Sequence, residues 1–328
     1  MRLCYRRRVG SFWLLLIFLI MGACSAETES GSQADRAGDT ASNDTGILDP
    51  NVRRFVSGDL EIPGYADSML CTFGTWTGGN LGVVSFRSQQ SSPMGHHAMF
   101  MRANAGSDNQ PIPDDGTVIA CDDWPLDNLF QSTGEANDGG ISPTGTALPD
   151  GMAMKLADGT RWAIQSHYVN TGADPVTAID TVLLGVVEPS QVTTWAAVYS
   201  LNNVGFNLPP GQAQTSFPCS FDHEFYVMSL MGHMHEYGTS IKVELGVGNE
   251  IETIYEIAEW KAEYRDQPVV TTWLPGEFLV PAETVITTSC AWNNITDQSL
   301  HFPQEMCSAL GVGYPSEEPI ACNAGIRR

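Results

Sequence analysis

The sequence is poor in basic residues, and lysine is the scarcest of the charged ones. Only three lysines occur among 328 residues, and 16 lysines and arginines stand against 38 aspartates and glutamates, for a formal net charge of -22 at pH 7. So acidic a surface repels the phosphates of nucleic acids and of anionic lipid headgroups. We therefore expect no nucleic-acid partner, and the charge provides solubility or attracts cations.

Two patterns are missing as well. No CxxC pair occurs, which argues against thiolate zinc sites, and no stretch keeps a 3.6-residue apolar period for three turns. Runs of β-branched and aromatic residues are present instead, separated by Gly, Pro, Asn and Asp clusters. The main runs cover residues 82–88, 161–170, 177–187, 224–235, 240–247 and 284–292. The sequence predicts an all-β protein built of sandwiches.

The N-terminus has the order of a secretory signal: arginines, an apolar run over residues 12–21, two small residues and then Cys24. The alternative is a membrane span, but the run is shorter than the roughly 20 residues that spanning requires. We predict a signal peptide over residues 1–23 and lipidation of Cys24. The protein is then exported to a bacterial cell envelope, in the periplasm or at the cell surface, and contacts the membrane only through its lipid anchor.

The remaining chain divides into a tether and a folded part. Residues 24–50 are rich in Ser, Gly, Asp, Glu and Thr and predict a flexible tether. The folded part is long for one small core, so we predict two domains, 51–190 and 191–328, divided at the soft junction near residues 188–192. Six cysteines remain after the signal and the lipid site, and an even number in an exported protein predicts three disulfides. They are Cys71, Cys121, Cys219, Cys290, Cys307 and Cys322.

Seven histidines are distributed unevenly along the chain. His233 and His235 form a His-x-His, and residues two apart on a strand share a face, so both imidazoles can bind one ion. His96 and His97 are adjacent, so they can share a metal only if the strand bulges or ends there. His167, on another predicted strand, is then the candidate third ligand. Two such pairs favour metal binding.

A thioether narrows the choice of metal. Imidazole binds zinc, copper, iron or nickel, whereas thioether favours copper. Met306 directly precedes Cys307, so a disulfide at Cys307 would hold the thioether near a site. Most of the twelve methionines must be core residues, so this pattern alone is only suggestive.

The motifs together resemble a known family. A His-His on a strand, a Gln-x-His-Tyr, a His-x-His and a Glu-Met-Cys follow one another, with 70 residues from His97 to His167, 66 to His233, and 71 from His235 to Met306. In this order and spacing, over residues 67–322, the chain resembles the copper type II, ascorbate-dependent monooxygenases. These include peptidylglycine α-hydroxylating monooxygenase and dopamine β-monooxygenase.

The resemblance implies two jelly-roll β-sandwich domains, each with one copper ion. His96, His97 and His167 would hold the electron-transfer copper. The catalytic ligands His233, His235 and Met306 would hold the copper at which oxygen binds. The implied reaction is hydroxylation of a C–H bond of a small organic substrate by O2, with ascorbate or another one-electron donor. The implied disulfides are Cys71–Cys121, Cys219–Cys322 and Cys290–Cys307.

Two departures leave the substrate open. The peptide-amidating branch has an arginine two residues before the His-x-His, where this chain has Met231, and a tyrosine where this chain has Leu310. An apolar residue cannot replace a bidentate carboxylate contact. A non-catalytic copper-binding envelope lipoprotein is therefore the alternative, and a structural surface protein with adventitious zinc is a third reading. His223 and His301 match no ligand position and are expected to be structural or exposed.

Overall fold

A computed structural model describes residues 49–106, 110–121, 124, 126–130, 147–247, 250–265, 267–302 and 304–324. The predicted signal peptide, the lipidation residue Cys24 and the tether up to residue 48 lie outside the described residues, so these assignments stay predictions. Within the described ranges, no helix is long and apolar enough to cross a lipid bilayer.

The described chain is built of strands joined by turns and short 3-10 segments. The strands before residue 190 are β1 (Val52–Val56), β2 (Leu60–Ile62), β3 (Ala66–Thr75), β4 (Leu81–Gln90), β5 (Gly95–Ala103), β6 (Val118–Ala120), β7 (Leu126–Phe130), β8 (Met152–Leu156), β9 (Arg161–Asn170), β10 (Val176–Ala178) and β11 (Asp180–Val187). The 3-10 segments are Pro189–Gln191 and Ala262–Arg265.

The second half continues in the same way. Its strands are β12 (Thr194–Asn203), β13 (Asn207–Leu208), β14 (Gly211–Cys219), β15 (Phe225–His233), β16 (Gly238–Val247), β17 (Glu250–Ile257), β18 (Val270–Thr272), β19 (Leu279–Val280), β20 (Val285–Asn294), β21 (Leu300–His301), β22 (Cys307–Tyr314) and β23 (Ile320–Ala324).

Three sheets make up the frame. The long sheet has the order β1-β11-β4-β8-β12-β22-β15-β18, the N-terminal sheet β6-β3-β9-β5-β7, and the C-terminal sheet β14-β20-β16-β17. The N-terminal sheet lies against the β11 and β4 end of the long sheet, and the C-terminal sheet lies against the β22 and β15 end. The predicted all-β class and its sandwich arrangement are confirmed.

Each sandwich has its own apolar core. Phe86, Phe100 and Ile164 are buried between the first pair of sheets. Phe225 and Trp292 are buried between the second pair, where Trp292 stacks on Phe206 with ring centroids 5.2 Å apart. Full burial of such a side chain stabilises the fold by about 1.5–3 kcal/mol. The alternation of core and outer positions along the strands decides which face each histidine occupies.

The two halves of the chain share the long sheet. Strand β8 pairs in parallel with β12, with Met152 opposite Thr194, so the hydrogen-bonded ladder continues from the first sandwich into the second. The predicted boundary between residues 190 and 191 falls at the 3-10 turn Pro189–Gln191 and stays a prediction.

The cysteines pair as the family resemblance implies. Bridges join Cys71 to Cys121, Cys219 to Cys322, and Cys290 to Cys307. The last bridge connects the central strand β20 of the C-terminal sheet to the first residue of β22 in the long sheet. It therefore fixes the chain directly beside Met306.

Candidate metal centres

The first histidine cluster lies on two neighbouring strands of the N-terminal sheet. His97 on β5 stands directly opposite His167 on β9, and directly opposed residues of antiparallel strands share a face. Ile164 points into the apolar core, so His167, three residues farther along β9, points away from it. The cluster thus occupies the outer face of the N-terminal sheet.

A β-bulge brings His96 to the same place. The β5–β9 register shifts between Gly95 and His97, because Gly95 pairs with Tyr168 and His97 with His167. His96 is the extra residue, and a bulge turns an extra residue out of the strict alternation. Adjacent histidines can share a metal only where the strand bulges, and that bulge is present.

The three imidazoles converge on one point. Their ring centroids are 4.9 to 5.6 Å apart, and one ligand nitrogen from each lies within 4.8 Å of the others. The Nδ1 atoms of His96 and His97 are 3.3 Å apart. Two nitrogens bound to one tetrahedral ion at about 2.0 Å each lie about 3.3 Å from one another, so the spacing fits a shared metal.

His167 offers one nitrogen only. Its Nε2 lies 2.6 Å from a carboxylate oxygen of Asp67, and its Nδ1 is buried with no hydrogen-bond partner. A buried polar atom without a partner costs about 1–3 kcal/mol, which a bound ion would remove. The donor set of three imidazoles suits copper or zinc.

The second cluster forms around the end of β15. His233 is the last residue of this strand and His235 follows in the next turn, with ring centroids 5.3 Å apart and planes at 88°. The predicted strand over residues 224–235 thus ends two residues early. The imidazole of His235 donates from Nδ1 to the carbonyl of Gln304 over 3.1 Å, which leaves its Nε2 as the acceptor for a metal.

A buried carboxylate explains why the strand ends there. Glu305 has no exposed surface, and it accepts the backbone N–H groups of His235 over 3.0 Å and of Tyr237 over 2.7 Å. It also accepts the indole N–H of Trp292 over 3.0 Å. These bonds take the backbone donors out of the sheet ladder and fix the turn that carries His235.

Strand register places Met306 beside this turn. The β15–β22 ladder ends at the pair His233 and Ser308; His235 follows two residues after His233, and Met306 comes two residues before Ser308. Both histidines and Met306 are partly exposed. The structure thus brings the candidate ligands of the second site to one end of the long sheet.

Burial is the main cause that lowers imidazole pKa values in both clusters. The pKa of His97 is held well below its usual range, first by burial and then by the charges of His167, His96, His233 and Arg265. Burial, with His235 and Arg265 as further causes, lowers the pKa of His233 to about 3. Both imidazoles are therefore neutral at physiological pH, the form that binds metals.

The short 260–265 segment packs against the second cluster. The indole of Trp260 donates to the carbonyl of His235 over 3.0 Å, and Arg265 forms an ion pair with Glu236. These two contacts help Glu305 to hold the turn. The other two histidines take no part: His223 pairs with Asp222, and His301 contacts the carbonyl of Phe302, both in exposed positions.

The sequence analysis missed Asp67 and gave Glu305 no role. Asp67 contacts His167 only through the strand register, which the sequence does not display. The sequence does hint at the role of Glu305. An acidic residue directly before an apolar strand is unusual unless its charge is hydrogen-bonded.

Comparisons with known proteins give no family. No protein-family model and no curated protein matches the chain. Among solved structures it is similar to the major capsid protein P2 of bacteriophage PM2, with 10% identity over 79% of this chain and 98% of that one, and a TM-score of 0.36.

Two further viral structures are similar at a lower level. A triple jelly-roll protein of an archaeal virus matches 81% of this chain and 61% of its own at 9% identity and a TM-score of 0.23. The VP2 subviral particle of infectious bursal disease virus matches 80% of this chain and 71% of its own at 10% identity and a TM-score of 0.21. Superpositions this loose carry no argument about function.

The depressed pKa of His233 predicts a pH-dependent stability of the metal-free protein. Its folded-state pKa is about 3 and its ordinary value is 6.5, so the unfolded chain binds the extra proton between these values. Its contribution is complete above pH 6.5 and is lost as the pH falls towards 3, by about 2 kcal/mol at pH 5. Urea unfolding at pH 7 and pH 5 should show a smaller pH effect in His233→Gln than in the wild type. Equal effects would contradict the shift.

Glu305 is expected to stabilise the second cluster. Glu305→Ala leaves four N–H groups without this acceptor, those of His235, Tyr237, Trp292 and Met306, and the free energy of unfolding should fall by about 3 kcal/mol or more. Glu277→Ala is the control, because this exposed carboxylate accepts a single backbone N–H from Leu274 and its loss should cost less than about 0.5 kcal/mol. Equal denaturation midpoints for Glu305→Ala and the wild type would refute the role.

Proposed function

We propose that the chain is a copper-dependent monooxygenase that hydroxylates a C–H bond of a small organic substrate, using O2 and a one-electron donor such as ascorbate. The observation that supports this most strongly is the convergence of His96, His97 and His167, together with the buried Nδ1 of His167 that has no hydrogen-bond partner. The second histidine cluster and the order of the motifs along the chain give further support to the proposal.

The donor sets favour copper at both sites. His96, His97 and His167 would hold one ion, and His233, His235 and Met306 the other. A set that mixes imidazole and thioether tolerates both oxidation states of copper and favours Cu(I) at the second site. When bound, copper supplies one-electron transfer and the activation of O2.

The protein's own residues position these ligands. Burial keeps His97 and His233 neutral, so their lone pairs remain available at physiological pH. Glu305 and Trp260 hold the turn that carries His235, and the Cys290–Cys307 bridge holds the chain next to Met306. Fixed ligands reduce the rearrangement that binding and turnover require.

Two residues next to His233 affect which substrates the second site could bind. Met231 and Leu310 stand directly opposite one another on β15 and β22, two residues from the His233–Ser308 pair and on the same face. Neither offers a charge, so a peptide carboxylate finds no clamp at these positions. This observation also favours the second candidate, a non-catalytic copper-binding lipoprotein of the cell envelope.

Replacing the thioether distinguishes these two functions. Met306→Leu keeps the side-chain volume and removes the sulfur, so the fold and much of the copper should remain, because His233 and His235 still bind. Oxygen uptake with ascorbate and a panel of amine, amide and phenylethyl substrates should fall to nearly nothing.

The control is His223→Ala, which removes an exposed histidine outside both clusters and should leave uptake unchanged. Full turnover in Met306→Leu would make Met306 a packing residue and contradict the proposed ligand. A wild-type protein that binds copper but consumes no oxygen with any of these substrates would favour the non-catalytic function.

A further inference from the structure

Asp67 is the hydrogen-bond partner of His167, whose other ring nitrogen, Nδ1, is buried and has no partner. Its carboxylate oxygen lies 2.6 Å from Nε2 of His167. The His167 side chain is 5% exposed, whereas that of Asp67 is 66% exposed. A buried imidazole is therefore paired with a solvent-facing carboxylate.

Strand register sets this arrangement. In the N-terminal sheet β9 lies between β5, which carries His97, and β3, which carries Asp67. Met69 stands opposite His167, so Asp67, two residues away on the same face, is its diagonal neighbour. Diagonal pairs lie within reach of long side chains. One neighbouring strand thus supplies a ligand and the other supplies the group that orients it.

We propose that Asp67 is a positioning residue for the first metal site; this rests on the proposed function. As an acceptor, the carboxylate keeps the proton of His167 on Nε2. The lone pair then stays on Nδ1, the nitrogen that remains for an ion shared with His96 and His97. The negative charge also strengthens His167 as an electron donor and favours Cu(II) over Cu(I) at this site. Carboxylates that hold a metal-bound histidine commonly act in this way.

Stability alone does not account for the pair. An exposed carboxylate paired with one partner contributes little to folding, about 0–1 kcal/mol. The chain offers a comparison in Asp222 and His223, whose contact atoms are 2.7 Å apart on exposed side chains outside both clusters. Equivalent changes at Asp222 therefore control for the loss of such a pair.

The first test needs no metal. Nitrogen-15 NMR of metal-free protein with labelled histidine should show His167 protonated on Nε2 in the wild type. In Asp67→Ala the proton should redistribute between the two nitrogens, and in Asp222→Ala His167 should not change. A His167 that keeps the same tautomer without Asp67 would overturn the proposal.

The second test uses copper alone as the probe. Asp67→Asn keeps an acceptor and removes the charge, whereas Asp67→Ala removes both. Copper affinity at the first site should fall about 10–100-fold in Asp67→Ala and less in Asp67→Asn, with the second site unaffected. The reduction potential of the first copper should rise in both variants. Asp67→Glu should restore part of the affinity.

The outcomes separate the two claims. Unchanged affinity and potential in Asp67→Ala, with copper bound to the wild-type site, would overturn the role of Asp67 alone. Absence of copper from the first site of the wild type would overturn the proposed metal site, and this proposal with it.

Discussion

The one-residue bulge at His96 is the feature on which the first histidine cluster depends. Without it, His96 and His97 would point to opposite faces of β5, and only His97 would meet His167. With it, three imidazoles share one face of the N-terminal sheet. The bulge lies next to Gly95, where an added side chain would contact Gln90 too closely. The sheet therefore accepts the irregularity at a residue without a side chain.

In the second cluster a buried carboxylate, and not a bulge, positions the histidine pair. Glu305 accepts four N–H groups, and its bonds to the backbone of His235 and Tyr237 hold the segment that follows the end of β15 at His233. Fully buried carboxylates are rare unless hydrogen-bonded in this way. The first cluster is thus held by a backbone irregularity and the second by a buried side chain, and the positive charge of Arg265 lowers the pKa of both His97 and His233. A nearby positive charge favours the neutral form of an imidazole, which is the form that binds metals.

The fold class followed from the β-branched runs, and the number of disulfides from cysteine parity, because both are read directly from the sequence. The pairing of the cysteines was implied only by the family resemblance. The shared long sheet was not predicted, because the parallel pairing of β8 with β12 has no local sequence signature. The contact between Asp67 and His167 was not predicted either. The two residues are a hundred positions apart in the chain and meet only through the β3–β9 register. The end of β15 at His233 followed from Glu305, a partner seventy residues away from His235.

The central claim is that these histidines bind two copper ions at defined places. Diffraction from copper-loaded crystals at energies on either side of the copper absorption edge tests it most directly. The account predicts one anomalous peak bounded by His96, His97 and His167, and a second bounded by His233, His235 and Met306. Peaks only at surface carboxylates, or no peak at the first cluster, would contradict it.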